Sequence, residues 1–304
     1  MKLKRFTILI VAIFITAVSF SLSSCSSQNN QVKGVADNPV KIGVVKSSDP
    51  QWQILKDGLA KENIFIQIIN FTDYTSENPA LARGELDINE FQHLDYLASY
   101  NNDTNDNLAP IGATAIFPIG LYPNKEVGVK DLNDLKADDT VVIPNDDTNQ
   151  SRAIHLLVSA NLVQVKDKEM SILTPKDILQ TSKVKVKSVQ ANQAAHSLSD
   201  KSISAAIINN DYIKDANLEP KDAILKESSD DEFAQRFINV WVVKNDKVND
   251  EILNKVVMWA SHSKEFLDAI LQNSAGTAQM VASEYNTSKL QEILQKLQID
   301  KANE

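Results

Sequence analysis

Chemically capable side chains gather in three short runs of this chain. The densest is Asp87-Ile88-Asn89-Glu90-Phe91-Gln92-His93-Leu94-Asp95-Tyr96, which sets two aromatic rings and an imidazole among carboxylates and amides just beyond an expected strand. Phe91 and His93 are two residues apart and share a face on an extended segment, and Tyr96, about one helical turn beyond His93, can close the same pocket. Such walls suit a thioether or another soft apolar group, at about 0.3–1.5 kcal/mol per sulfur–aromatic contact. The same residues also read as core aromatics, with His93 capping the following helix.

A second run, Pro144-Asn145-Asp146-Asp147-Thr148-Asn149-Gln150-Ser151-Arg152, stands between a strand ending near Ile143 and an amphipathic helix. Backbone N–H groups at a helix start favour an anion, and an Arg in the first turn can pair bidentately with a carboxylate. Arg opposes the helix dipole there, which points to an anionic partner for Arg152. The alternative is a surface Arg, with Thr148 or Asn149 as N-cap. Third, Asn209-Asn210-Asp211-Tyr212 ends an apolar strand, and Asn239 lies between Ile238 and Val240 in another. A buried amide wants up to four hydrogen bonds, which the ammonium and carboxylate of an amino acid can supply. A structural amide network, with Asn209 capping the next helix, meets the same need.

The elements around these runs follow from hydrophobic period. Residues 40–45 and 64–71 read as strands flanking a helix over 50–63, and Asn78-Pro79 reads as an N-cap and first position of a helix over 80–83. The pattern recurs with strands at 140–144, 184–189 and 203–209 and a helix over 149–161. Residues 238–244 form another strand, and the chain from Asn249 onward is expected to be helical. Alternation of this kind predicts α/β architecture, with two lobes built on mixed or parallel sheets.

The 304 residues carry a formal charge of −9 and 43% hydrophobic residues, which predicts a folded protein and disfavours nucleic-acid binding. One cysteine and four dispersed histidines argue against a disulfide framework or a zinc site. The eight glycines form neither GxGxxG nor GxxxxGK[ST], and no GxSxG is present. Lys2, Lys4 and Arg5 precede an apolar run from Phe6 to Phe20, too short to span a bilayer but suited to a signal peptide. Leu22-Ser23-Ser24-Cys25 resembles the lipobox of bacterial lipoproteins, in which the cysteine becomes the lipidated first residue. Two acyl chains give stable anchoring where one does not. Cleavage there leaves 28 basic against 40 acidic residues, a net of −12. Polar residues 26–38 read as a flexible tether, with the folded body beginning near Pro39.

Taken in order, Phe71–Leu81, Asp87–His93 with Tyr96, Phe117–Tyr122, Pro144–Arg152 and Ile207–Tyr212 resemble the methionine-binding lipoproteins of bacterial ABC importers, the NlpA-type family. The resemblance implies a type II periplasmic-binding-protein fold, two α/β lobes joined by crossover strands near 117–122 and 238–244, with the ligand cleft between them. It divides the chain into a signal peptide at 1–24, the lipidated cysteine and tether at 25–38, one lobe from 39–120 plus 241–304, and a second from 121–240. Carried over by position, Phe91, His93 and Tyr96 enclose the methionine side chain with Tyr74 close by. Arg152 takes the α-carboxylate, and Asn209 and Asn239, with Asn149 nearby, hold the polar end. Glu90 departs from the small or aromatic residue usual before Phe-Gln, and Asp211 and Gln150-Ser151 also depart from the pattern.

The implied protein is a monomeric, cofactor-free, non-enzymatic carrier, tethered through Cys25 on the extracytoplasmic face. It captures L-methionine for an ABC permease and its ATPase. A methionine-containing dipeptide or D-methionine on the same scaffold is one alternative. A hydrolase using Asp87 or Glu90 with His93, or a surface adhesin, is another.

Overall fold

A computed structural model of the protein describes residues 32–167, 172–228 and 232–302. The expected signal peptide and Cys25 lie outside the described residues. The folded body extends back beyond Pro39: Phe65 donates its N–H to the Gly34 carbonyl at 2.8 Å, and Lys33 pairs with Asp87 at 3.0 Å. Residues 33–38, read from sequence as tether, are therefore docked on the first lobe.

Two sheets organise the molecule. The first contains β1 (Val40–Val45), β2 (Ile66–Phe71), β3 (Ile88–His93), β4 (Leu108–Ile116), β10 (Ile238–Lys244) and β11 (Gln279–Met280), in the order β11-β4-β10-β3-β1-β2. The second contains β5 (Gly120–Pro123), β6 (Thr140–Pro144), β7 (Lys185–Val189), β8 (Ala205–Ile208) and β9 (Leu225–Lys226), in the order β7-β6-β8-β5-β9. Strands β1, β2 and β3 are parallel, as are β6, β7 and β8, while β10 runs antiparallel to both β3 and β4. Both sheets are thus mixed, as crossovers between two α/β units require.

Helices α1 (Pro50–Lys61), α2 (Glu77–Ala82) and α3 (Leu94–Thr104) belong to the first half of the chain, α4 (Asp147–Ser159) and α5 (Ala191–Ala194) to the second sheet. The chain ends on α6 (Glu251–His262), α7 (Lys264–Asn273) and α8 (Thr287–Ala302). Helix α1 starts on Pro50, whose missing N–H costs nothing there, and buries Trp52, Leu55 and Leu59 along one stripe. Gly58 lets Trp259 of α6 lie against the α1 backbone, since a Cβ there would sit 1.8 Å from the indole. Trp52, Trp241 and Phe266 meet with ring centroids 6.1–6.2 Å apart and anchor the core of this lobe.

Several elements differ from their sequence expectation. Strand β4 carries Pro110 and Gly112, which mask its pattern, and the β10 register shifts opposite them, where Val257 fills the space beside Gly112. Helix α2 starts at Glu77, so Asn78 is not its N-cap. The Asn78 amide instead bonds Gln92 and Asn89 in a buried network that ties α2 to β3, with N···O distances of 2.6–3.0 Å. The chain beyond Asn249 is largely helical, but residues 274–286 are not, and within them β11 pairs with β4.

The chain passes between the sheets after β4 and again between β9 and β10. Gly120 already pairs in the second sheet, and β10 pairs in the first from Ile238 onward. These connections carry Phe117, Ile119, Glu227 and Phe237, and the site is built against them.

Candidate functional site

Strand β3 supplies one wall. Phe91 and His93 emerge at its end, and Tyr96 follows on the first turn of α3. His93 is the N-cap of α3: its Nδ1 accepts the Tyr96 N–H at 3.1 Å. The Nε2 of a neutral ring then carries the proton and faces Asn149 Oδ1 at 3.4 Å. Burial, reinforced by the Arg152 guanidinium, pushes His93 down to about 3, so the imidazole stays neutral. Tyr74 stacks on Phe91 at 5.8 Å between centroids, and Tyr96 meets Phe91 edge-on at 5.7 Å. The hydroxyls turn into protein rather than toward the space between the rings: Tyr96 Oη donates to the Tyr74 carbonyl at 3.0 Å, and Tyr74 Oη to Asp211 Oδ2 at 2.6 Å. Burial raises the Asp211 carboxyl to about 6.

The start of α4 supplies the opposite wall. Its N-cap is Asp146, not Thr148 or Asn149: Asp146 Oδ1 accepts the Asn149 N–H at 3.0 Å and the Asn149 side-chain amide at 2.9 Å. This fixes the Asn149 amide so that its Oδ1 faces the cleft, where it accepts from Asn209 Nδ2 at 2.9 Å. Asn209 makes no cap bond to the following 3-10 helix, and its buried Oδ1 has no partner among the described residues. Asn239, second residue of β10, donates to the Phe91 carbonyl at 3.4 Å.

Arg152 has the anionic partner its dipole position calls for, and that partner is Glu227 from the second crossover. Nε donates to Glu227 Oε1 at 2.8 Å and Oε2 at 3.0 Å, while Nη2 donates to Glu227 Oε2 and, at 2.9 Å, to the Phe117 carbonyl. The guanidinium lies 4.0 Å above the Phe237 ring, which meets His93 edge-on at 5.3 Å. Among the described residues Nη1 has no hydrogen bond, so the fork is held from one side and open on the other.

All eight residues singled out from sequence, Tyr74, Phe91, His93, Tyr96, Asn149, Arg152, Asn209 and Asn239, line one cavity. Phe117, Ile119, Asn210 and Asp211 complete it. Its lining divides into an aromatic wall and a polar one, as ligand sites commonly do. Sequence reading missed Glu227 and Phe237, which hold Arg152: Glu227 sits in a polar stretch without periodicity, and Phe237 precedes its strand by one residue. Neither Asp87 nor Glu90 is hydrogen bonded to His93; Asp87 accepts from Lys41 N at 2.8 Å and pairs with Lys33. Among the described residues, no group of three acidic, His or Cys side chains could hold a metal ion, and no helix is long and apolar enough to cross a membrane.

Comparison with known proteins agrees with this architecture. The family model described as NlpA lipoprotein matches residues 40–282. The D-methionine-binding lipoprotein MetQ of Salmonella typhi is 32% identical over 255 residues, 83% of this chain and 89% of that one. Among solved structures, the substrate-binding protein of a methionine transporter from Streptococcus pneumoniae superimposes with a TM-score of 0.74 at 30% identity, covering 80% of this chain and 95% of that one. A nutrient-binding protein from Burkholderia cenocepacia bound to methionine gives 0.71 at 30% identity, covering 79% and 99%. With the two-lobed fold shared and most of the chain matched, this protein belongs to the NlpA lipoprotein family.

Proposed function

We propose that the protein is a lipid-anchored substrate-binding protein that captures L-methionine outside the membrane and delivers it to an ABC permease without any covalent step. One observation carries this reading: an aromatic wall and a single buried guanidinium with amides face each other across one cavity. Phe91, His93 and Tyr96, with Tyr74 behind them, enclose the thioether. Arg152 Nη1 donates to the α-carboxylate, with Glu227 and Phe237 holding the guanidinium in place. Asn209 Oδ1, which has no donor of its own, accepts from the α-ammonium, and Asn239 and Asn149 flank it. The names of the MetQ relatives favour D-methionine as a second reading.

Isothermal titration with each enantiomer separates the two readings. The expected result is tighter binding of L-methionine; tighter binding of the D form transfers the role to it, and no heat from either sinks the reading. Cys25 is the proposed lipid attachment point, so Cys25→Ala moves the protein from the membrane to the soluble fraction. Retention of that variant in membranes would point to an uncleaved helix instead.

A further inference from the structure

A second cavity opens beside the first. The two share Phe91, Phe117, Asn210, Asp211 and Asn239. Beyond these, the second runs toward α1 and the first sheet, where Asp49, Gln51, Trp52, Glu90 and Thr114 line it. Its lining lacks the tyrosines and the arginine of the first cavity and carries three carboxylates, Asp49, Glu90 and Asp211. Glu90 and Gln51 are each 7% exposed and Trp52 is 4% exposed, yet Glu90 Oε1, Gln51 Oε1 and Trp52 Nε1 have no hydrogen-bond partner among the described residues.

Asp49 strengthens the case. It occupies the N-cap position of α1, where an aspartate ordinarily accepts from the helix N–H groups, and it makes no such bond. Its carboxylate accepts from Asn273 Nδ2 at 2.8 Å instead. Of the basic side chains nearby, Lys46 is paired with Asp215 and Lys214 donates to Asn273. Two buried acceptors without donors, Glu90 Oε1 and Gln51 Oε1, grouped with carboxylates, match a compact cation rich in donors, while Trp52 Nε1 and the Thr114 hydroxyl, which can donate, line the same space. A primary ammonium has that chemistry, and an anion would be repelled.

We propose that this second cavity is an annex of the ligand cleft that binds a primary ammonium group, with Glu90 and Gln51 accepting its hydrogen bonds and Asp49 and Asp211 adding favourable charge. The inference rests on the first cavity being the ligand site. The ammonium arrives either on a ligand that runs on past Asn239 or on a separate small amine bound alongside. Burial holds the Glu90 carboxyl up at about 8, so an arriving cation draws it toward the ionised form.

Isothermal titration of the full-length protein in mild detergent at pH 7 tests this with L-methionine, glycyl-L-methionine, and propylammonium chloride with and without L-methionine. The variants are Glu90→Gln, which keeps size, and Gln51→Leu, which probes the cavity from α1, with thermal melts to confirm folding. At least one ammonium probe is expected to bind the wild type and to bind both variants at least tenfold more weakly, while L-methionine alone changes less than twofold. A response confined to glycyl-L-methionine assigns a ligand-borne ammonium, and one confined to propylammonium a separate amine. The annex is overturned when neither probe binds, or when both folded variants bind like wild type. Failure of L-methionine alone on the wild type counts against the methionine reading and leaves the annex to the ammonium probes.

Discussion

The two walls of the cleft hold their residues in opposite ways. On the first lobe, Tyr74, Phe91, His93 and Tyr96 face the cavity with rings, and their polar atoms are spent on the protein: His93 Nδ1 on the α3 backbone, Tyr96 Oη on a carbonyl, Tyr74 Oη on Asp211. On the second lobe the polar atoms themselves are presented, braced from behind by carboxylates, Asp146 behind Asn149 and Glu227 behind Arg152. Dispersion and burial are non-directional and tolerate small shifts, whereas a guanidinium or an amide binds only along its donor and acceptor directions. The first wall therefore sets what kind of side chain fits, and the second sets how the ligand is oriented.

Breaking the polar wall carries the largest expected effect. Arg152→Ala lowers L-methionine affinity by about 2–5 kcal/mol, as losing one partner of a buried charge pair does; titration calorimetry checks this, and wild-type-like affinity refutes the carboxylate role. Breaking the aromatic wall costs less. Phe91→Ala removes one buried ring and weakens binding by about 1.5–3 kcal/mol, and an equal loss for norleucine and methionine would show that the ring contributes burial rather than sulfur contact.

Acidity sharpens the contrast between the cleft and its annex. Glu90 is raised by burial from the usual carboxylate range to about 8, so between those values the folded state holds a proton that the unfolded state has released. Stability of the ligand-free protein then falls as pH rises toward 8, by a limiting slope of about 1.4 kcal/mol per pH unit for one proton. His93, depressed to about 3, acts in the opposite sense only below its ordinary value near 6.5, and Asp211 is at about 6. Between pH 6.5 and 8 Glu90 is therefore still protonated in part in the folded state, while the His93 contribution has ended. Denaturant melts across this range are expected to show a shallower slope for Glu90→Gln; an unchanged slope would remove Glu90 as a source. The smallest effect comes from one of the bonds joining the two walls. Tyr74→Phe deletes the hydrogen bond to Asp211 and is expected to cost about 0.5–1.5 kcal/mol of binding, measurable as a faster ligand off-rate.

What could be read from sequence follows the same division. The aromatic wall was legible because Phe91, His93 and Tyr96 lie within six positions and their spacing alone brings them together. Arg152 was legible as a cation misplaced at a helix start, but its partner was not: Glu227 comes from the second crossover, 75 residues away. Asn149 and Asp146 were both visible in one loop, yet which of them caps α4 depends on where the helix begins, a boundary that periodicity sets only loosely. Asn78 looked like a cap beside Pro79, and tertiary demand for a buried amide network with Gln92 overrode that local preference. The annex left one sequence signal, the departure of Glu90 from the family pattern, while Asp49 and Gln51 read as an ordinary helix start.

The division of labour across the cleft is tested most directly by a crystal structure of the protein with L-selenomethionine, using anomalous scattering to locate the selenium. The account predicts the selenium between Phe91, His93 and Tyr96, with the α-carboxylate on Arg152 Nη1. Selenium at the Arg152 and Asn209 end, or a carboxylate bound away from Arg152, would contradict it.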